Sequence, residues 1–132
     1  MREALDERPL VLVVEDEILL HEILEDALGA AGFATAFVQS AEEAAALLRG
    51  HSADYAVLII DITLRGRMVG WDLAKLAREL NPQFPIVYTT AGRGGEWPSH
   101  GVPYSVLVQK PFAPAQLVTA ISQLLNKTGP GP

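Results

Sequence analysis

The sequence predicts an α/β fold, a doubly wound five-stranded parallel sheet with helices on both faces. Three observations predict it. Short apolar runs rich in β-branched residues alternate along the chain with segments whose apolar residues recur at helical spacing. The first run, "PLVLVV" (9–14), is continuous rather than alternating, as expected of a strand covered on both sides. Residues able to do chemistry stand directly after the runs, at the carboxyl ends of parallel strands, where open α/β sheets build their sites.

The elements follow in order. "PLVLVV" (9–14) is the first strand. Leu20, Ile23, Leu24, Ala27 and Leu28 then mark a helix that Gly29 or Gly32 can stop. "FATAFV" (33–38) is a second strand, and Ser40 with Glu43 forms a capping-box pattern opening "AEEAAALLRG". "YAVLII" (55–60) is a third strand, the most apolar to that point. Leu73, Leu76, Ala77 and Leu80 give a third helix, stopped before Asn81–Pro82, and "PIVYTT" (85–90) is a fourth strand. The segment "AGRGGEWPSHGVP" (91–103) is rich in Gly and Pro, has no helical period, and predicts a loop or a broken, mobile helix. "YSVLVQ" (104–109) is a fifth strand. Pro114 suits a first helical turn, followed by a stripe of Leu117, Ala120, Ile121 and Leu124. One domain over 9–126 is expected, with flexible ends at 1–8 and 127–132.

Composition narrows the function. A chain of 132 residues with 49% hydrophobic residues can bury one real core. A net charge of −6 argues against nonspecific binding to nucleic acid or an anionic membrane surface. With no cysteine, disulfides, thiol catalysis and cysteine-ligated metals are excluded. His21, His51 and His100 lack metal-ligand spacing and read as surface residues. No apolar stretch approaches the roughly 18 residues of a membrane span, and the N-terminus has no signal-peptide apolar region. A cytoplasmic protein is expected.

Strand one runs into Glu15–Asp16–Glu17, strand three into Asp61, strand four ends in Thr89–Thr90, and strand five runs into Lys110–Pro111. A parallel sheet brings these ends to one edge. Clustered carboxylates are tolerated when a divalent cation sits among them, and an all-oxygen set suits Mg²⁺ or Mn²⁺ better than zinc. Such a metal can neutralise phosphoryl oxygens. Thr90 could donate to one such oxygen and Lys110 pair with another. Asp61, on the middle strand, would be the nucleophile that takes the phosphoryl group.

This constellation resembles the receiver domain of two-component response regulators over about residues 9 to 126. The matching residues are Glu15–Asp16 for the acidic pair, Asp61 for the phospho-acceptor, Thr90–Ala91 for the switch hydroxyl, and Lys110–Pro111–Phe112 for the lysine motif. "DITLRGRMVGWDLAKLAREL" and "PIVYTTAG" are similar to the receiver branch named for its FATGUY motif, whose fourth helix is poorly formed. The resemblance implies a flavodoxin-like (βα)₅ fold with a short or irregular fourth helix. It implies Mg²⁺ ligated by Asp16, Asp61 and the Thr63 carbonyl, with Glu15 acting through water. It implies a sensor histidine kinase, of the HWE type in that branch, or a histidine phosphotransfer protein as phosphodonor. Leu107 departs from the aromatic that many receivers carry there, and Tyr104 is not at that position. Gly92 stands where the branch has its tyrosine.

A receiver is a signalling module and catalyses only its own phosphorylation and dephosphorylation. The chain ends about where the resemblance ends, so a single-domain type signalling through a downstream protein partner is expected, with 91–103 as the responsive surface. Three other readings compete. A degenerate receiver acting without phosphorylation would not need every chemical position filled. A Mg²⁺-dependent phosphohydrolase of the haloacid dehalogenase type needs a second acid two residues after the nucleophile, where Thr63 stands. A flavodoxin-like cofactor binder needs a phosphate loop where this chain has an acidic triplet. Glu15 and Asp16 could also simply favour the N-terminus of the first helix. Thr89 reads as a packing residue, Trp71 as packing at a helix start, and Trp97 as a loop residue.

Overall fold

The computed structural model describes residues 7–63, 68–92 and 97–127. Its elements are β1 (Leu10–Val14), α1 (Ile18–Ala30), β2 (Ala34–Val38), α2 (Ala41–His51), a 3-10 turn (Ser52–Asp54), β3 (Val57–Asp61), α3 (Gly70–Leu80), β4 (Ile86–Thr90), α4 (Trp97–His100), β5 (Val106–Gln109) and α5 (Pro114–Lys127). The strands form one parallel sheet in the order β2-β1-β3-β4-β5. This is the flavodoxin-like strand order. The order turns back at β1, which lies between β2 and β3, and that turn fixes where the crevice forms.

The sheet separates two cores, and the two-residue period of each strand decides which side chain enters which. Val11, Val13, Ile59, Val87 and Val108 face α1 and α5, where Leu24, Leu28, Leu117 and Ile121 cover them. Leu12, Val14, Leu58, Ile60, Ile86 and Tyr88 face α2 and α3, with Ala44, Leu48, Leu73 and Ala77 packed on them. Each fully buried Leu or Ile contributes roughly 1.5–3 kcal/mol relative to exposure.

Each strand begins one or two residues later than its apolar run. Ser40 caps α2, its hydroxyl accepting from the Glu43 amide at 3.1 Å. α1 closes through Gly32 at φ +96°, a left-handed conformation that glycine adopts without strain. Ile23 and Leu80, both in the predicted stripes, are 51% and 41% exposed. Ile23 sits about 100° around the helix from buried Leu24, at the margin of the stripe. α5 runs through Lys127, so Lys127 belongs to the helix and not to the flexible end; residues 128–132 and 1–6 lie outside the described residues.

Within the predicted broken segment, Trp97–His100 form one helical turn. Trp97 opens α4 and is not a loop residue: it is half-buried against the α2/α3 core. A Cβ at Gly101 would run into the Trp97 ring and its backbone carbonyl, so only glycine lets the turn close there. Residues 93–96 of the predicted responsive segment lie outside the described residues. Among the described residues no helix is long and apolar enough to cross a membrane.

Candidate functional site

Register brings the site together. Val14 pairs with Ile60, Asp61 with Thr89, and Thr90 with Gln109. Glu15, Asp61, Thr90 and Lys110 therefore emerge at nearly one level of the sheet. The backbone fastens this edge: the Glu15 amide donates to the Val38 carbonyl at 3.0 Å and the Lys110 amide to the Thr90 carbonyl at 2.7 Å.

Lys110 is the centre of the charge distribution. Its Nζ lies 2.8 Å from Glu15 Oε1, 3.0 Å from Asp61 Oδ2 and 3.4 Å from Glu17 Oε1. Glu15 and Asp61 are 2% and 3% exposed, so their bonds to Lys110 are largely desolvated and charge-assisted, while Glu17 is exposed. Burial opposes the Lys110 charge, but the hydrogen bonds to Glu15 and Asp61 outweigh it and hold the ammonium well above its ordinary value. Burial also raises the Glu15 carboxyl; the Lys110 hydrogen bond opposes that rise and the charge of Asp61 adds to it.

The remaining bonds orient the acids. Asp61 Oδ1 accepts from the Thr63 amide at 2.9 Å and from the Thr63 hydroxyl at 2.5 Å. Glu15 Oε2 accepts from the Glu17 amide at 3.1 Å. Thr90 is fully buried and its hydroxyl accepts from the Gly92 amide at 3.2 Å. Thr89 is buried as well, paired with Asp61 in the register between β3 and β4. Asp16 is exposed beside them.

Three contributions escaped sequence reasoning. The Thr63 side chain contributes its hydroxyl, not only a backbone group. Glu17 joins the lysine. His21 is not a plain surface residue: its Nε2 lies 2.7 Å from the Glu15 carbonyl, and its ring stacks on Phe37 with centroids 4.5 Å apart. The carbonyl can only accept, so Nε2 carries the proton. The signal available was His21's place one helical turn past the acidic triplet. His51 and His100 are exposed, as read.

Carboxylate oxygens of Glu15, Asp16 and Asp61 lie within 4.8 Å of one another. Three acids with no imidazole or thiolate among them form a hard, all-oxygen donor set, which fits Mg²⁺ or Mn²⁺.

The family model "Response regulator receiver domain" matches residues 11–122. The two-component response regulator PhoP of Pseudomonas aeruginosa is 35% identical over 120 residues, covering 89% of this chain and 52% of its own length. The phosphate regulon transcriptional regulatory protein PhoB of the same organism is 29% identical over 125 residues, covering 92% of this chain and 53% of its own. The chain thus spans about half the length of the curated relatives it matches. Among solved structures, a response regulator receiver protein from Sinorhizobium medicae superposes with a TM-score of 0.86 at 40% identity, over 91% of this chain and 96% of that one. With the matched span, this likeness and the acidic crevice all in agreement, the chain belongs to the response regulator receiver domain family.

Proposed function

We propose that the chain is a phospho-accepting receiver in which Asp61 takes a phosphoryl group from a phosphohistidine of a sensor histidine kinase or phosphotransfer protein. The phosphorus–nitrogen bond of the donor breaks, a bond from phosphorus to an Asp61 oxygen forms, and the histidine is released as neutral imidazole once protonated. The observation that carries the reading is Lys110 Nζ, 3.0 Å from Asp61 Oδ2 and 2.8 Å from Glu15 Oε1, at the heart of the acidic cluster. A lysine there steadies the acceptor before transfer and can follow a phosphoryl oxygen after it. The Thr90 hydroxyl would donate to another oxygen.

Glu15, Asp16, Asp61 and the Thr63 carbonyl are the groups that would hold the divalent cation. When bound, the cation offsets negative charge on the phosphoryl oxygens. The Thr63 side chain occupies Asp61 Oδ1 and steadies its rotamer. The position where a haloacid dehalogenase would carry its second acid thus holds a hydroxyl bonded to the acceptor, which weighs against the phosphohydrolase reading. The degenerate-receiver reading has no observation in its favour, since every chemical position is filled. The likeness of 61–80 and 85–92 to the FATGUY branch supports a kinase of the HWE type as donor.

The test is incubation with Mg²⁺ and acetyl phosphate followed by intact mass. One phosphoryl addition is expected on the native chain and none on Asp61→Asn; addition to the Asn variant would refute the assignment. Asp16→Ala should weaken Mg²⁺ binding at least about tenfold, about 1.4 kcal/mol, in a titration of the chain without phosphodonor.

A further inference from the structure

Three acids share one short turn. β1 ends at Val14 and α1 begins at Ile18, so Glu15, Asp16 and Glu17 stand side by side between them. Like charges on successive residues push such a turn apart. The helix does not brace it in the usual way. Glu17 occupies the N-cap position without making a side-chain cap, and its carboxylate reaches Lys110 instead. The turn is held from two neighbouring elements. From β2, the Val38 carbonyl accepts from the Glu15 amide at 3.0 Å. From α1, His21 Nε2 donates to the Glu15 carbonyl at 2.7 Å. Both backbone polar groups of Glu15 are thus tied, and its Oε2 then accepts from the Glu17 amide at 3.1 Å.

The placing of His21 suits this task. It sits one helical turn past Glu17, and side chains on a helix lean toward its N-terminus, which carries the ring back over the turn. The ring stacks on Phe37 of β2, with centroids 4.5 Å apart and planes 20° from parallel. Phe37 is the register partner of Val13, two residues before Glu15. The ring's orientation is therefore set by β2 while its nitrogen serves the backbone of the turn. The peptide between Glu15 and Asp16 is planar, so fixing the Glu15 carbonyl fixes the direction in which Asp16 departs. Asp16 is exposed, and its carboxylate is steered by that backbone and not by packing.

We propose that His21 is a positioning residue for the acidic pair. Through the Glu15 carbonyl it keeps Asp16 where its carboxylate joins those of Glu15 and Asp61 in taking a divalent cation. This rests on the proposed function, in which those acids hold the cation. His21 is not itself a ligand: its Nε2 proton is spent on the backbone, and the carboxylates keep their charge. The three carboxylates lie within 4.8 Å of one another, an arrangement their repulsion opposes. Without the imidazole donor, Asp16 is free to swing toward water and the cation loses a preformed partner. Groups that orient a metal ligand typically change affinity about 10- to 100-fold when removed. Here the hold passes through a peptide bond to an exposed carboxylate, so an effect of about fivefold is expected.

Two substitutions separate the donor from the ring. His21→Phe keeps a ring on Phe37 and removes the donor; His21→Gln removes the ring and leaves a donor of similar reach. The first readout needs no metal. The Glu17 amide, which rests on Glu15 Oε2, should exchange about fivefold faster in the Phe variant and near the native rate in the Gln variant, with α5 unchanged in both. The second is a Mg²⁺ titration followed by amide chemical shifts. The Phe variant should bind about fivefold more weakly and the Gln variant within about twofold of native. The third is phosphoryl gain from acetyl phosphate, scored by intact mass. The Phe variant should be slow at limiting Mg²⁺ and reach the native rate once Mg²⁺ saturates, whereas simple damage to the fold would persist. A Phe variant that exchanges and binds Mg²⁺ like the native chain overturns the proposal. Equal losses in both variants assign the effect to the ring and overturn the role of the donor. An α5 that loosens in step with Glu17 makes the effect global and overturns a local hold. A native chain that binds no Mg²⁺ overturns the cation reading, and with it the positioning of Asp16 toward a cation. A native chain that binds Mg²⁺ but gains no mass overturns only the phosphoryl reading, and the first two readouts still decide the role of His21.

Discussion

The two faces of the sheet are closed by different means. On one, helices of 13 and 14 residues, α1 and α5, lay aliphatic side chains across the strands. On the other, α2 and α3 have 11 residues each and α4 only four. There the cover is completed by Trp71, Tyr88 and Trp97 and by directed bonds from Arg78 and Ser105. Aliphatic packing is non-directional and tolerates small displacements, whereas a hydrogen bond weakens steeply once its angle is lost. The short-helix face is therefore the one whose structure can answer a small movement at the strand ends, and the long-helix face is the frame against which it moves.

The largest expected effect tests the frame. Leu28 is fully buried between α1 and the sheet, and Leu28→Ala should destabilise the chain by about 3 kcal/mol. Urea unfolding measures it, and a loss under about 1 kcal/mol would mean that this face relaxes as easily as the other.

Next comes the edge the two faces share. Lys110→Met should lose on the order of 2 kcal/mol at neutral pH, because Glu15 and Asp61 keep their burial and lose their ammonium partner. In the native chain the Lys110 value is raised on folding. Its contribution is therefore present below the unfolded value of 10.5 and fades as pH rises through the folded one. In the variant the raised Glu15 carboxyl, freed of Lys110, binds its proton more tightly folded than unfolded. The variant should regain stability as pH falls into the carboxylate range. Melting both proteins across pH checks this; a deficit independent of pH would assign the loss to packing of the lysine stem.

The smallest effect is expected outside both cores. Leu19 is 79% exposed, and Leu19→Ser should change stability by less than about 0.5 kcal/mol. A larger loss in the same urea experiment would show that α1 depends on its outer face.

How far the molecule could be read from sequence follows the same division. The strands were legible because each is built on a short apolar run, and the candidate site was legible because parallel strand ends must meet at one edge. The meeting of Lys110 with Glu15, 95 residues earlier, follows from that topology without any local signal. What stayed hidden was directional. No periodicity announces that Arg78 reaches two carbonyls beyond α4, that the Tyr88 hydroxyl receives the Val102 amide, or that His21 turns back to Glu15. Trp97 read as a loop residue because four residues are too few to leave a helical pattern. Ile23 and Leu80 fit their stripes and still face water, since a stripe tells which side is apolar and not how wide the covered side is.

The margin of the sheet beyond β5 has a consequence of its own. Only four residues, Val106–Gln109, form that outer strand, with Pro103 shortly before it and Pro111 shortly after. A proline has no amide hydrogen, so a foreign strand zipping along this border runs out of donors at Pro103 and Pro111. The β5 border is thus blunted against runaway stacking of one chain on the next, and strand-to-strand growth from this side of the sheet stops within a few residues.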